Sequence, residues 1–578
     1  MAYTDEVNAQ VVIQLLKKHG IRRIVASPGA TNVSLVGSMQ RDSYFEMFSV
    51  VDERSAAYIA CGMAAESGEP VALSCTGATA SRNYMPGMTE AYYRKLPVLA
   101  ITSSQILPRV GQHIAQVIDR SVIPRDVANL SVSLPVVNND DDLWDCELKV
   151  NRALLELRRR GGGPVHINLP TVYSENFAIK ELPNYRFIER LSPQSSLPAL
   201  PPGRVAIFIG AHAPMSQALT EAIDRFCAAH DAVVFCDHTS GYYGRYRVQY
   251  ALAAFQQGLD IGQVRPDVLI HLGEVSGDYY SLSIAGKAVW RVSEDGELRD
   301  TFRKLRYVFE MPEQTFFDRL NEGKSGHATE YLSQCQAQLS RLRSKLPELP
   351  FSNIYTASQL AHRIPKGAVV HFGILNSLRS WNFFEVPEGV KTDCNVGGFG
   401  IDGCVSSLIG ASWVKPDQLY FAVVGDLAFF YDLNSIGNRH VGRNLRIVLI
   451  NNGVGVEFKN YNHRAASFDN NSDTYIAAGG HFGNKSKSLV KNFAQDLGFE
   501  YLSASNKEEL ERVTTAFLRP ELGERPMLLE VFTDADDESS SLELMSTIEY
   551  SPAGRAKLFA KSVLGESGIG ALKKLFGR

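Results

Sequence analysis

Short, almost wholly apolar runs alternate along this chain with longer segments in which apolar residues recur every three or four positions. The runs IRRIVAS (21–27), PVALSC (70–75) and PVLAITS (97–103) come first. RVAIFIG (204–210), AVVFCDH (232–238) and DVLIHLG (267–273) follow, then GAVVHFG (367–373), QLYFAVVGD (418–426), LRIVLINN (445–452) and MLLEVFT (527–533). Runs this short and this apolar read as strands buried on both faces, and the segments between them, such as Glu6 to His19, read as helices. Strand, turn and helix in alternation predict an α/β fold built from three doubly wound domains with mostly parallel sheets. The proline-bearing seams SPQSSLPALPPG (192–203) and LPELPFSN (346–353) separate the blocks. The expected domains are therefore residues 1–185, 204–345 and 351–535, with a basic, amphipathic C-terminal tail at 536–578.

At about 100–200 residues per domain, 578 residues are long enough for three or four cores. A formal net charge of −4, with no basic run interleaved with aromatics, argues against a nucleic-acid partner. No stretch approaches the ~20 apolar residues of a membrane helix, and the start, MAYTDEVNAQVV, does not read as a secretory signal. Eight cysteines without a CxxC pair fit reduced thiols and a cytoplasmic location. The strand–glycine turns of the middle block resemble a dinucleotide-binding crossover, but they contain no G-x-G-x-x-G.

Candidate chemistry concentrates in the first and third blocks. Gly425-Asp426-Leu427-Ala428 closes one predicted strand and Asn451-Asn452-Gly453-Val454 closes a later one, so both fall on the carboxyl edge of a parallel sheet. A carboxylate, an amide oxygen and a backbone carbonyl are hard ligands suited to Mg2+ carrying phosphate oxygens. Read singly, each segment is an ordinary strand-closing turn. Glu53, in VVDERSAAYIACGMA, stands where a strand enters a small-residue helix, a place that also suits a solvated charge or a helix cap. The glycines of CNVGGFGIDG permit close backbone approach to a ligand, or simply a turn.

Together these segments resemble the thiamine diphosphate (ThDP)-dependent enzymes, whose diphosphate signature is GDG followed later by NN. The resemblance implies ThDP and Mg2+ as cofactors, with Asp426, Asn452 and the Val454 carbonyl as metal ligands. It implies that Glu53 binds N1′ of the aminopyrimidine and that Gln116 faces the thiazolium. Thr76 and Gly77 match the turn beside the cofactor, Ile401 the apolar wedge between its rings, and the Phe399 carbonyl an acceptor from the 4′-amine. Asn395, Gly397, Gly425, Leu427 and Ala428 complete the cofactor contacts. Leu427 departs from the usual glycine, and the spacing to NN is about a residue short.

Within that family, ASPGATN, DERSAAYIACGMA, NSL, GIDG, GDLAFFYDLN and NNGVG resemble the SEPHCHC synthase (MenD) branch, whose substrates are polyanions held by arginines. Here those arginines are replaced by Thr31, Gln105, Trp381 and Val396, with Arg379, Arg82 or Arg109 as possible compensation. Thr31, Val396 and Trp381 would make a smaller and more apolar donor pocket, and Gln105, Asn376, Ser377 and Phe458 are further candidate substrate residues. The implied reaction is decarboxylation of a short, pyruvate-like 2-oxo acid and transfer of the acyl-anion equivalent to a carbonyl acceptor. Simple decarboxylation stays open through Glu457 and His113, either of which could move a proton, and true SEPHCHC synthesis is the other alternative. A catalytically silent member would lack the glutamate or the metal ligands, yet Glu53, Asp426 and Asn452 are all present. The family pattern also implies a homodimer or homotetramer with the active site between chains.

Overall fold

The computed structural model describes residues 2–549, except 121, 260 and 482–484; the basic tail segment 551–578 lies outside the described residues. The chain divides into two compact units. One comprises the residues up to Ser195 together with Gly296–Glu310, and the other Ser196–Asp295 together with the described residues from Met311 onward.

In the first unit, β1 (Arg23–Ala26), β2 (Glu46–Ser49), β3 (Val71–Cys75), β4 (Val98–Ser104), β5 (Leu130–Ser133) and β6 (Val165–Pro170) form one sheet. Its order is β2-β1-β3-β4-β6-β5, and every pair is parallel. Helices cover both faces. Val11, Leu15, Leu16, Ile24 and Ile101 lie in one apolar core, and Ala56, Ala60, Leu73, Met88 and Val98 in another. β7 (Glu189–Leu191) pairs in parallel with β13 (Leu305–Phe309) in the same unit.

The second unit contains β8 (Val205–Ile209), β9 (Val233–Cys236), β10 (Arg247–Val248), β11 (Val268–Leu272) and β12 (Ala288–Val292). They run parallel in the order β10-β9-β8-β11-β12. It also contains a six-stranded parallel sheet of β14 (Val369–Phe372), β15 (Lys391–Cys394), β16 (Tyr420–Gly425), β17 (Leu445–Asn451), β18 (Glu500–Ala504) and β19 (Met527–Phe532). Its order, β15-β14-β16-β17-β19-β18, repeats that of the first unit's sheet strand for strand. Both sheets reverse direction of growth after their first strand, so each has a switch point between its first and third strands, where α/β sheets open a crevice for ligands. Gly29 and Thr76 follow the strands flanking the first switch point; Gly373 and Asp426 follow those flanking the second.

The expected α/β architecture is therefore the one the chain adopts. The head of the expected basic tail behaves differently from its label. Ala535–Ser546 is a helix with three acids in its first turn, and it buries Glu538, Ser541, Leu542 and Met545.

Candidate active site

β16 is buried along nearly its whole length, and its last residue, Gly425, precedes a short helix that opens with Asp426. Gly425 faces open space: a Cβ built there meets no atom within 4 Å. One Asp426 oxygen accepts from the Leu427 N–H at 2.7 Å and the other from the Gly453 N–H at 2.5 Å. The carboxylate thus ties the β16 turn to the β17 turn. Burial pushes its pKa up to about 6, against the opposing pull of those N–H groups.

The paired asparagines divide their work. Asn451, still in the strand, donates to Glu530 at 2.6 Å, while Asn452 stays at the ligand side, its Oδ1 3.4 Å from the Val454 N–H. Gly453 between them takes φ +73°, which only glycine adopts without strain.

Gly425, Asp426, Leu427, Ala428, Asn452 and Val454 line one cavity of about 110 Å³. Ile401, Asn376, Ser377, Glu457 and Phe458 line it too. The third block thus brings together most of its predicted residues. Among the lining residues that carried no sequence signal, two stand out. Glu538 sits in the acid-rich run DADDES, where nothing marks one carboxylate from the next. In the structure it is buried, accepts from the Asn353 N–H at 2.9 Å and the Thr533 hydroxyl at 2.7 Å, and burial pushes its pKa up to about 7. Leu375, just before Asn376, holds φ +61°, a strained conformation for a leucine at the switch point.

Other predicted residues lie elsewhere. Trp381 is fully buried among Phe372, Leu378 and Val390, with its indole N–H unpartnered. Val396 is 2% exposed in the same core. Neither lines the cavity, so the expected pocket roles of both are corrected to core packing. On that helix, Asn376–Trp381, Arg379 pairs with the cavity-lining Glu457. Its guanidinium donates to both Glu457 oxygens, at 2.7 and 3.0 Å, and to Asn376 Oδ1 at 3.0 Å. Asn395 commits its side chain to its own loop, donating to the Gly403 carbonyl at 3.2 Å and Ser407 Oγ at 2.9 Å, with His371 3.1 Å from its oxygen. Gly397 is exposed, and Phe399, at φ +57°, packs against Tyr279 with ring centres 5.7 Å apart.

In the first unit Glu53 opens the helix Glu53–Ser67, but the capping role belongs to Asp52, which accepts from the Arg54 N–H at 2.9 Å. Glu53 is free of that duty; its Oε2 accepts from Asn83 at 3.3 Å. Thr76 and Gly77 follow β3 at the carboxyl edge. Gly29 is needed there because a Cβ on it would lie 2.4 Å from Thr76 Cβ. Thr31, expected to face substrate, is 3% exposed and spends its hydroxyl internally, 2.5 Å from Thr76 Oγ1 and donating to the Ser103 carbonyl at 2.9 Å. It is a brace between turns. Gln105 is half-buried and accepts from Arg109. His113 and Gln116 are exposed, at φ +54° and +63°, with the Gln116 carbonyl close to Gly77.

Both units thus carry ligand-facing groups at the switch points of like-ordered sheets, the geometry of a diphosphate-binding α/β enzyme. The sequence model of the thiamine pyrophosphate enzyme, N-terminal TPP binding domain, matches residues 8–123. A 2-succinyl-5-enolpyruvyl-6-hydroxy-3-cyclohexene-1-carboxylate synthase from Bacteroides thetaiotaomicron is 30% identical over 94% of this chain and 98% of its own. The protein of the same name from Phocaeicola vulgatus is 29% identical over 93% and 98%, and that from Desulfotalea psychrophila 28% over 89% and 96%. The chain belongs to the thiamine diphosphate-dependent enzymes that act on carbon–carbon bonds, in their SEPHCHC synthase (MenD) branch. No helix among the described residues is long and apolar enough to cross a membrane.

Proposed function

We propose that this enzyme uses ThDP and Mg2+ to decarboxylate a short, pyruvate-like 2-oxo acid and transfers the acyl-anion equivalent to a carbonyl acceptor. The observation that carries the reading is the second-unit cavity, where Asp426, Asn452 and the turn at Val454 surround an open space beside Gly425. Two buried carboxyl groups at this cavity, Asp426 and Glu538, favour a bound cation, and the oxygen-only donor set favours a hard one. Asp426, Asn452 and the Val454 carbonyl would hold Mg2+ and, through it, the diphosphate. Ile401 would support the cofactor rings from its place in the cavity wall.

Bound at this site, ThDP would supply a nucleophilic carbon and an electron sink for 2-oxo acid decarboxylation. Glu53 has the task of hydrogen-bonding the aminopyrimidine, and Gln116 of facing the reacting centre. The first and third α/β blocks would serve one cofactor from two chains, in a homodimer or homotetramer, with the middle block as a spacer. In support, the helix that starts at Glu53 leaves Tyr58 and Ile59 exposed at 47% and 43%, an apolar face suited to a second copy. All eight cysteines are buried free thiols, which suits a reducing cytoplasm.

The relatives' name describes a product with a succinyl and a carboxylate group. At the positions read as replaced arginines, Trp381 and Val396 are core residues and Thr31 is a brace, which supports a different substrate pair. Glu457 favours ligation over simple decarboxylation, because both of its oxygens accept from Arg379 and neither is set up to donate a proton. The test is CO2 release by purified protein with Mg2+ and ThDP across a panel of 2-oxo acids, with and without carbonyl acceptors. Strict dependence on an acceptor supports the ligase. Full release without one favours a decarboxylase, and no release from any acid contradicts both.

A further inference from the structure

Arg379, on the Asn376–Trp381 helix, is already paired with Glu457, which lines the cavity. Both Glu457 oxygens accept from it in a two-point fork, the geometry with which a guanidinium holds any carboxylate. The pair is largely enclosed, the Arg379 side chain being 14% and the Glu457 side chain 20% exposed. Two asparagines brace it. Asn376 Oδ1 accepts from Arg379 at 3.0 Å and from Asn460 Nδ2 at 3.2 Å, and the same Asn460 amide lies 3.3 Å from Glu457 Oε2. With its oxygen used by two donors, Asn376 offers its N–H groups to the cavity it lines. That makes a neutral donor for one carbonyl or carboxylate oxygen.

From this we infer that Glu457 acts as a built-in carboxylate that masks Arg379, so that the pocket accepts 2-oxo acids with a single carboxylate and turns away those with a second. The inference rests on the proposed function for the identity of the pocket and adds the specificity device. A substrate's distal carboxylate could reach Arg379 only by displacing a partner that is covalently part of the chain and always present at high effective concentration. Displacement would also strand the Glu457 carboxylate, half-buried, without its counter-ion. Arg379, held behind Glu457, thus contributes hydrogen bonding while adding no net positive charge for a dicarboxylate to exploit. Glu457 is a specificity-determining residue by this argument, and Arg379 and Asn460 position it.

The test compares full-length wild type with Glu457→Gln, which keeps size and hydrogen bonding while removing the competing charge. Glutarate, an unreactive dicarboxylate, is titrated calorimetrically into each in the presence of Mg2+ and ThDP. The variant is expected to bind glutarate at least ~10-fold more tightly than the wild type, as expected when a charge-assisted pair becomes available. The ratio of kcat/KM for 2-oxoglutarate over pyruvate should rise by a similar factor. Both gains should vanish in Arg379→Met/Glu457→Gln. Equal glutarate affinity in wild type and variant, or a gain that survives loss of Arg379, overturns the inference. Should the variant fail to fold, the wild type decides: preference for 2-oxoglutarate over pyruvate overturns masking, and the reverse preference upholds it. If no 2-oxo acid releases CO2, the proposed function fails while the glutarate titration still decides whether Arg379 is masked.

Discussion

At the end of β16 the Asp426 carboxyl has lost nearly all its water and has two backbone N–H groups in exchange. Burial outweighs them and pushes its pKa from 3.8 up to about 6. The folded chain therefore holds this proton more tightly than the unfolded chain. Without a metal, the group's contribution to stability falls as pH rises from 3.8 through about 6. A cation reverses the preference, because it binds the ionised form and must displace the proton. Mg2+-dependent ThDP binding should be level above pH 7 and weaken by up to ~10-fold per pH unit below about 6, as calorimetric titration across pH would show. Asp426→Ala should abolish it. Trp381 illustrates the opposite fate for a residue read as ligand-facing. Motif position located the helix that carries it, but not which way each side chain turns: packing buries Trp381, while Arg379 pairs with Glu457. Trp381→Ala should cost about 3–5 kcal/mol in denaturant unfolding, the usual loss for a buried tryptophan. Trp381→Phe should leave the donor preference unchanged in the CO2-release panel.

Among the elements, legibility follows burial. β3, β8, β11, β16, β17 and β19 are buried on both faces along almost their whole length, and all read as apolar runs. Some of the missed strands have physical reasons for silence. β2 and β15 are edge strands with mostly exposed or half-exposed positions, so no apolar run marks them. β6 is wholly buried yet carries His166 and Asn168, whose polarity breaks the pattern; His166 is satisfied by Thr102 at 2.7 Å and Ser131 at 2.8 Å. The helix Glu53–Ser67 was legible as a small-residue helix, and four of its five alanines are buried. Its other face carries the exposed Tyr58 and Ile59. If that face meets a second copy, Ile59→Glu should shift the protein to monomer in sedimentation velocity and lower activity with it, while leaving the circular dichroism unchanged. A dimer that persists would place the interface elsewhere.

For the molecule as a whole, the repeated strand order of the first and third sheets was invisible in the sequence, because topology is a matter of pairing and leaves no residue signature. It does explain why the two chemistry-bearing blocks present their residues alike, each at the crevice between first and third strands. The division of labour between them yields a direct prediction. If Glu53 and Asp426 of different chains serve one cofactor, Glu53→Gln and Asp426→Ala, each inactive alone, should complement when mixed and reassembled. Random pairing makes half the dimers mixed, each with one intact site of two, so roughly a quarter of wild-type activity should return. No recovery on mixing would mean that each chain builds its own site.

The claim on which all of this depends is that a single carboxylate in the first unit activates ThDP for attack on a 2-oxo acid. The most direct measurement is CO2 release by Glu53→Gln beside the wild type, with ThDP binding to both followed by calorimetry. Release from every accepted 2-oxo acid should fall by ~10²–10⁴-fold while ThDP still binds. Turnover equal to the wild type would contradict it.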